Sequence, residues 1–178
     1  MTDFDALAKE IAAIGFACTA CGDCCRGLGE DGALVMVGRA EARRVAEAAG
    51  IAFDEAVEPF PEEVEVRGRP CRLGWAIARD GNGACRFHDG ERCTVYEARP
   101  WICRTYPFML DGDRLVASEC PGLGAEVGEA DARALAADLL ARRASEEDEA
   151  DGVRRVIASA ELPPDGTLVV DAEGVTRA

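Results

Sequence analysis

Histidine and lysine are almost missing from these 178 residues: His88 is the only histidine, and a single lysine stands among 20 basic residues. With one histidine there is none to spare as a general base, and the chain shows neither a Ser/His/Asp set nor a glycine-rich nucleotide loop after a strand. Positive charge is short overall. The 34 acids leave a net charge of -14, the wrong sign for a nucleic acid or an anionic membrane as partner, and the acid excess is read as a soluble surface. Long apolar runs are lacking too. No window reaches the roughly twenty residues of a membrane span. Met1 to Gly15 opens with acids and has no continuous apolar stretch, so it is not an export signal. A cytoplasmic, reducing location is therefore expected, in which thiols serve as metal ligands sooner than as disulfides.

Cysteine, by contrast, is plentiful: there are nine. Four fall within eight residues, Cys18-Thr19-Ala20-Cys21-Gly22-Asp23-Cys24-Cys25, and five more follow at Cys71, Cys85, Cys93, Cys103 and Cys120. Thiolates are the soft ligands that zinc and iron-sulfur clusters select, and two cysteines separated by two residues can aim both sulfurs at one centre. Gly22 gives the loop backbone freedom close to the sulfurs. Cys24 and Cys25 are adjacent, and neighbours in an extended chain point apart. They are expected either to serve different centres or to take different roles at one polynuclear centre. A disulfide framework is disfavoured by the odd count and the tight clustering.

The rest of the chain reads as scaffold. Hydrophobic residues make up 48%, enough for the core of a domain of ordinary size. Phe4, Leu7, Ala8, Ile11 and Ile14 recur at helical spacing, with Thr2 and Asp5 as a capping box. A turn-rich loop, Arg26 to Gly32, leads to a short strand over Ala33–Val37. A helix from Gly38 to Ala49 turns Ala40, Val45, Ala46 and Ala49 inward. Ile51 to Pro61 is mixed, with Phe53, Val57 and Phe60 as anchors. Val64–Val66 and Leu73–Ala78 read as strands joined around Arg67-Gly68-Arg69-Pro70. Cys71, at the start of the second of these, is taken as a core residue. Asp80-Gly81-Asn82-Gly83 makes a turn into the second cysteine region.

In that region Cys85 and Cys93 flank a turn at Asp89-Gly90, so a tight hairpin brings both sulfurs to one side. His88 reads as an exposed turn histidine. Cys103 follows a short helical turn between Pro100 and Pro107. Arg99 and Arg104 are each either donors to the thiolates or surface arginines bonded to carboxylates. Phe108–Leu110 and Arg114–Val116 form a hairpin, after which Cys120-Pro121 has the form of the last ligand in some ferredoxin runs. From Glu129 the chain is helical, with Ala130, Ala134, Leu135, Ala137, Leu139 and Leu140 inward. A second helical segment starts at the Ser145-Glu146-Glu147-Asp148 cap and carries Val153, Val156 and Ile157. Leu168–Asp171 with Gly174-Val175 makes a closing strand pair.

Cys18-x2-Cys21-Gly-x-Cys24-Cys25, then Cys85-x7-Cys93-Thr-Val-Tyr-x2-Arg-Pro-x2-Cys103-Arg-x-Tyr-Pro-Phe, then Cys120-Pro-Gly, resembles the YkgJ-type cysteine-cluster family, the CxxCxxCC zinc- or iron-chelating domain. The likeness runs from about Phe16 to Gly122. It implies a ligand set of Cys18, Cys21, Cys24, Cys25, Cys85, Cys93, Cys103 and Cys120. Cys71 lies outside the pattern, and the position of His88 is commonly leucine in relatives. A related domain occurs within the larger flagellin lysine methylases, which raises an enzyme, such as a methyl-transfer protein, as a reading from another class.

The expectation is a small α+β domain with irregular cysteine loops, short hairpins and covering helices. Residues 1–15 form an N-terminal helix, 16–122 the cysteine-cluster domain, and 123–178 its helical extension. The expected cofactor is an iron-sulfur cluster, for example 4Fe-4S, or zinc. The cluster is preferred because adjacent cysteines suit a polynuclear centre; a structural zinc-chelating module is the alternative. The expected partner is the metal ion or cluster.

Overall fold

A computed structural model describes residues 3–27 and 33–177. Thr2 of the expected capping box, and most of the loop from Arg26 to Gly32, lie outside the described residues. In chain order the elements are α1 (Phe4–Ile14), a helical turn α2 (Asp23–Arg26), β1 (Met36–Val37), α3 (Arg39–Ala49), a short α4 (Phe53–Ala56), β2 (Val57–Pro59), β3 (Glu63–Val66), β4 (Arg69–Leu73), β5 (Trp75–Ile77), α5 (Trp101–Thr105), β6 (Phe108–Asp111), β7 (Arg114–Ala117), α6 (Glu129–Ser159), β8 (Leu168–Asp171) and β9 (Gly174–Arg177). Helices and mostly antiparallel hairpins make this the expected α+β class. The chain divides into two compact units, Met1–Cys21 with Trp101–Ala144, and Gly22–Pro100 with Ser145–Ala178.

The first unit is built on amphipathic helices. Asp3 caps α1, its carboxylate accepting the Ala6 N–H at 2.9 Å, which supplies one of the helix's unsatisfied first-turn donors. Leu7, Ala8 and Ile11 of α1 pack with Phe108, Leu115, Ala132, Ala136 and Leu139. The buried stripe of α6 differs from the expected one. Ala132, Ala136 and Leu139 are inside while Ala130, Ala134 and Ala137 are exposed, because the four- and three-residue steps between the buried positions line up on one face. The expected hairpin β6–β7 forms, with Phe108 opposite Ala117 and Asp111 opposite Arg114.

A second correction concerns continuity: α6 does not break at Ser145 but runs unbroken from Glu129 to Ser159. A mid-helix serine costs only a few tenths of a kcal/mol relative to alanine, roughly. The flanking Ala, Arg and Glu residues favour propagation, and each half is anchored in the core of its own unit, the second through Val153, Val156 and Ile157.

The second unit carries two sheets, ordered β1-β5-β2 and β3-β4-β8-β9. In the latter, β4 and β8 are parallel and the outer pairs antiparallel. The expected hairpin is present but tighter, with β3 and β4 joined by Arg67-Gly68 alone. Cys71 therefore sits in mid-strand opposite Val64. The single strand expected over Leu73–Ala78 is split at Gly74, whose φ of +78° is open to glycine at no steric cost. There the chain leaves one sheet, and Trp75–Ile77 enters the other between β1 and β2. On α3 the inward residues are Ala42, Val45 and Ala46, with Ala49 at the margin, whereas Ala40 is exposed.

One charged group lies at the centre of this unit. Asp171 is 0% exposed and accepts from Trp75 Nε1 at 2.7 Å and from Arg39 Nη1 at 2.6 Å. Its other oxygen accepts the Glu173 and Gly174 N–H groups of the β8–β9 turn. Arg39 also stacks on Phe53, 5.0 Å from the ring centroid. Burial pushes the Asp171 carboxyl up, but the hydrogen bonds from Trp75 and Arg39 outweigh it and hold the group below its ordinary value. Among the described residues no helix is long and apolar enough to cross a membrane.

Candidate metal centre

The eight cysteines of the expected ligand set fall four to each unit: Cys18, Cys21, Cys103 and Cys120 in the first, Cys24, Cys25, Cys85 and Cys93 in the second. In the first unit Phe16 pairs with Leu123, the Ala17 N–H donates to the Gly122 carbonyl at 3.0 Å and the Gly124 N–H to the Gly15 carbonyl at 3.0 Å. That antiparallel run stops just before Cys18 on one side and just after Cys120-Pro121 on the other. Cys103 lies in α5. The segment that follows is laced to the approach to Cys120 by the Tyr106 hydroxyl, which donates to the Glu119 carbonyl at 2.7 Å, and by the Ser118 N–H, which donates to the Pro107 carbonyl at 2.9 Å.

In the second unit two thiols stand side by side. Gly22, at φ +75°, turns the chain into α2, and its carbonyl accepts the N–H groups of Cys25 and Arg26, both at 2.9 Å. Cys24 and Cys25 are thus helical, not extended, and their sulfurs stand 3.9 Å apart. Successive helical side chains are about a quarter-turn apart, not opposed as in an extended chain. The Cys85 N–H donates to the Cys25 carbonyl at 2.7 Å, pinning the two cysteine regions together.

The hairpin around Asp89-Gly90 forms, but in a register that pairs His88, not Cys85, with Cys93. Asp89 fixes its tip by accepting the N–H groups of Glu91 and Arg92. Cys85 belongs to the preceding turn, where its carbonyl accepts the His88 N–H at 3.0 Å. His88 is not the exposed turn residue expected. It is half-buried, and its Nε2 is enclosed with no hydrogen-bond partner among the described residues.

The electrostatics of these thiols are mixed. Burial is the main influence on Cys85 and Cys93 and raises both thiols. Each sulfur also accepts a backbone N–H from two residues further on, that of Phe87 and of Val95, which favours the charged form. Cys24 is drawn down to about 7, chiefly by hydrogen bonding from Cys25 and against the upward push of burial. Arg99 adds positive charge toward Cys93 and Cys24 while lying 3.6 Å over the Tyr96 ring. The two arginines thus separate. Arg99 acts on the thiolates, whereas Arg104 pairs with Asp138 at 3.3 Å and stacks on Trp101.

Among the described residues no three His, Cys, Asp or Glu side chains are grouped so that they could hold a metal ion. One pair of sulfurs nevertheless has a spacing that suits a soft metal. Two sulfurs on one tetrahedral zinc, each at roughly 2.3 Å, lie about 3.8 Å apart, the spacing that Cys24 and Cys25 hold.

The family model named CxxCxxCC, "Putative zinc- or iron-chelating domain", matches residues 17–137. The chain belongs to the CxxCxxCC family. Searches of curated proteins and of solved structures give no match. In this CxxCxxCC protein the matched span takes in every cysteine, so the match does not by itself separate ligands from core thiols.

The structure does separate Cys71. It is 0% exposed among Val66, Leu168 and Val170, and burial raises its thiol. Cys71→Ser is expected to cost about 1–3 kcal/mol for a buried hydroxyl without a partner while leaving the number of bound metal equivalents unchanged. Urea unfolding with metal analysis checks both, and metal loss would make Cys71 a ligand.

Gly22 within the CxxCxxCC motif is a sensitive backbone position. A Cβ there would meet His88 Nε2 at 2.6 Å, and an alanine in left-handed conformation costs roughly 1–2 kcal/mol before that clash. Gly22→Ala should lower both the melting temperature and the zinc affinity, read by thermal melts and competition with a chromophoric chelator. A wild-type melt and affinity would show that the loop tolerates a side chain.

Proposed function

We propose that the protein is a metal-thiolate chelator in which Cys24, Cys25, Cys85 and Cys93 hold a single zinc or iron ion. Cys18, Cys21, Cys103 and Cys120 are the candidate thiolates of the first unit. The observation that carries this reading is the 3.9 Å spacing of the adjacent Cys24 and Cys25 sulfurs, which suits two bonds to one ion. Thiolates on neighbouring irons of a cluster would stand further apart, each outside its own iron, so the helical pair favours a mononuclear centre over the cluster expected from adjacency alone.

The chain supplies what such an ion needs around its sulfurs. Against the upward push of burial, the Phe87 N–H favours negative sulfur at Cys85, the Val95 N–H and the Arg99 guanidinium favour it at Cys93, and Arg99 favours it at Cys24. Such supporting contacts orient the ligands and offset the charge of a thiolate set. A four-thiolate ion is coordinatively closed and gives cohesion or storage.

The test is metal and acid-labile sulfide content, with a visible spectrum, on full-length protein purified without oxygen. Colourless protein with zinc, or iron without sulfide, supports the mononuclear reading. Iron accompanied by sulfide and a broad brown absorbance overturns it in favour of a cluster.

A further inference from the structure

Cys24 and Cys25 make a pair that can act without a third donor. Both lie in the helical turn α2, and their sulfurs stand 3.9 Å apart. The backbone beneath them is fixed. The Gly22 carbonyl accepts the Cys25 and Arg26 N–H groups, the Cys25 carbonyl accepts the Cys85 N–H at 2.7 Å, and Arg26 pairs with Asp23 at 2.6 Å. Cys24 is exposed and Cys25 half-buried, so a solute reaches the pair from the Cys24 side. Adjacent Cα atoms sit about 3.8 Å apart, below the roughly 4.4–6.8 Å usual for a disulfide, so bonding the two sulfurs to each other needs backbone movement. Zinc asks for four donors, and among the described residues no three His, Cys, Asp or Glu side chains are grouped for an ion. The ligand that fits two thiols and no more is one whose soft centre has only two places left to fill.

We propose that Cys24 and Cys25 form a chelating site for a trivalent arsenical that carries one organic group. Arsenic(III) is a soft, pyramidal centre of the kind that sulfur selects; already bonded once to carbon, it is completed by two sulfurs. It holds them slightly closer than the 3.9 Å seen here, an adjustment that small rotations about the two Cα–Cβ bonds supply within their staggered wells. In the reaction with an arsenoxide the bonds from arsenic to oxygen break and two arsenic–sulfur bonds form. The oxygen leaves as water with the two thiol protons, arsenic stays trivalent, and no electron moves. Because the turn already holds the second sulfur beside the first, the second bond forms within one molecule, and the pair binds far more tightly than either thiol alone. The site goes beyond the metal-thiolate reading and does not depend on it, since arsenic needs neither Cys85 nor Cys93.

The experiment titrates full-length, reduced protein with phenylarsine oxide, a non-thiol chelator being present to keep metal off the pair, and reads intact mass, free thiols and fragment spectra. Wild type is expected to take one tightly held arsenic with the loss of two free thiols, carried on the fragment that contains Cys24 and Cys25. A monothiol should not remove it, and a 1,2-dithiol should. Cys24→Ala and Cys25→Ala should each weaken binding by about 100-fold as the chelate is lost, while Cys71→Ser, in the core, should bind as wild type does. Arsenic mapped to other cysteines, undiminished affinity in both alanine variants, or no adduct on reduced wild type overturns the proposal. The mapping is made on wild type, so a variant that fails to fold leaves the decision intact. Zinc content, measured on the same preparations before chelator is added, reads the metal-thiolate proposal separately, because two thiols suffice for arsenic and not for a four-coordinate ion.

Discussion

Cys85→Ser and Cys93→Ser are each expected to remove one metal equivalent from the protein and to lower its melting temperature to that of chelator-treated wild type. Both sulfurs are half-buried and sit where a backbone N–H from two residues on meets them. A hydroxyl there retains the hydrogen bond but loses the soft donor. Substituting a supporting contact of a metal ligand already costs about 10–100-fold in affinity, so loss of the ligand itself should exceed about 100-fold. Metal binding free energy is also folding free energy where the site needs the fold. Chelator should therefore depress the wild-type melt and leave that of the variants unmoved. Full metal content at wild-type affinity in Cys85→Ser would remove that cysteine from the site.

The second large effect is expected at Asp171. Asp171→Ala leaves the Arg39 guanidinium and the Trp75 N–H without their shared carboxylate and strips the β8–β9 turn of its acceptor. Breaking a buried charge pair from one side costs roughly 3–5 kcal/mol, which urea unfolding would register directly. The folded carboxyl titrates below its ordinary value. Its contribution is thus present above the unfolded value of about 4 and is lost as pH falls through the folded one. Melting temperatures between pH 2 and 7 should show wild type losing stability in acid more steeply than Asp171→Ala. Parallel curves would mean that the carboxylate is not what the pair depends on.

What could be read from the residues alone was set by local rules. Turn chemistry announced the β6–β7 hairpin, the Asp80–Gly83 turn and the β8–β9 pair, and helical spacing announced α1, because each is decided within a few neighbouring residues. The cysteine motif was legible for the same reason. Features decided at longer range were not. Whether Ser145 starts a helix or sits inside one depends on Val153, Val156 and Ile157 being anchored beyond it. The division of the Leu73–Ala78 stretch between two sheets follows from pairing with β8, nearly a hundred residues away. At the site, adjacency of Cys24 and Cys25 pointed to separate roles only so long as the backbone was taken as extended. His88 was legible in principle, since the turn at Asp89-Gly90 sets it opposite Cys93, but its burial comes from Gly22 in a distant loop.

The place of β8 in its sheet also orders events during synthesis. Strand β4, with Cys71 at its middle, has β8 as its parallel neighbour, and Asp171 at the end of β8 secures Arg39 and Trp75. A ribosome translating in order releases all nine thiols well before Leu168–Asp171 exists. Until then the second unit has an unpaired sheet edge and an unanswered arginine, and nascent domains in that condition are prone to misassociate. The thiols of the motif therefore meet the cell, with its metals and oxidants, before the scaffold around the second set can close.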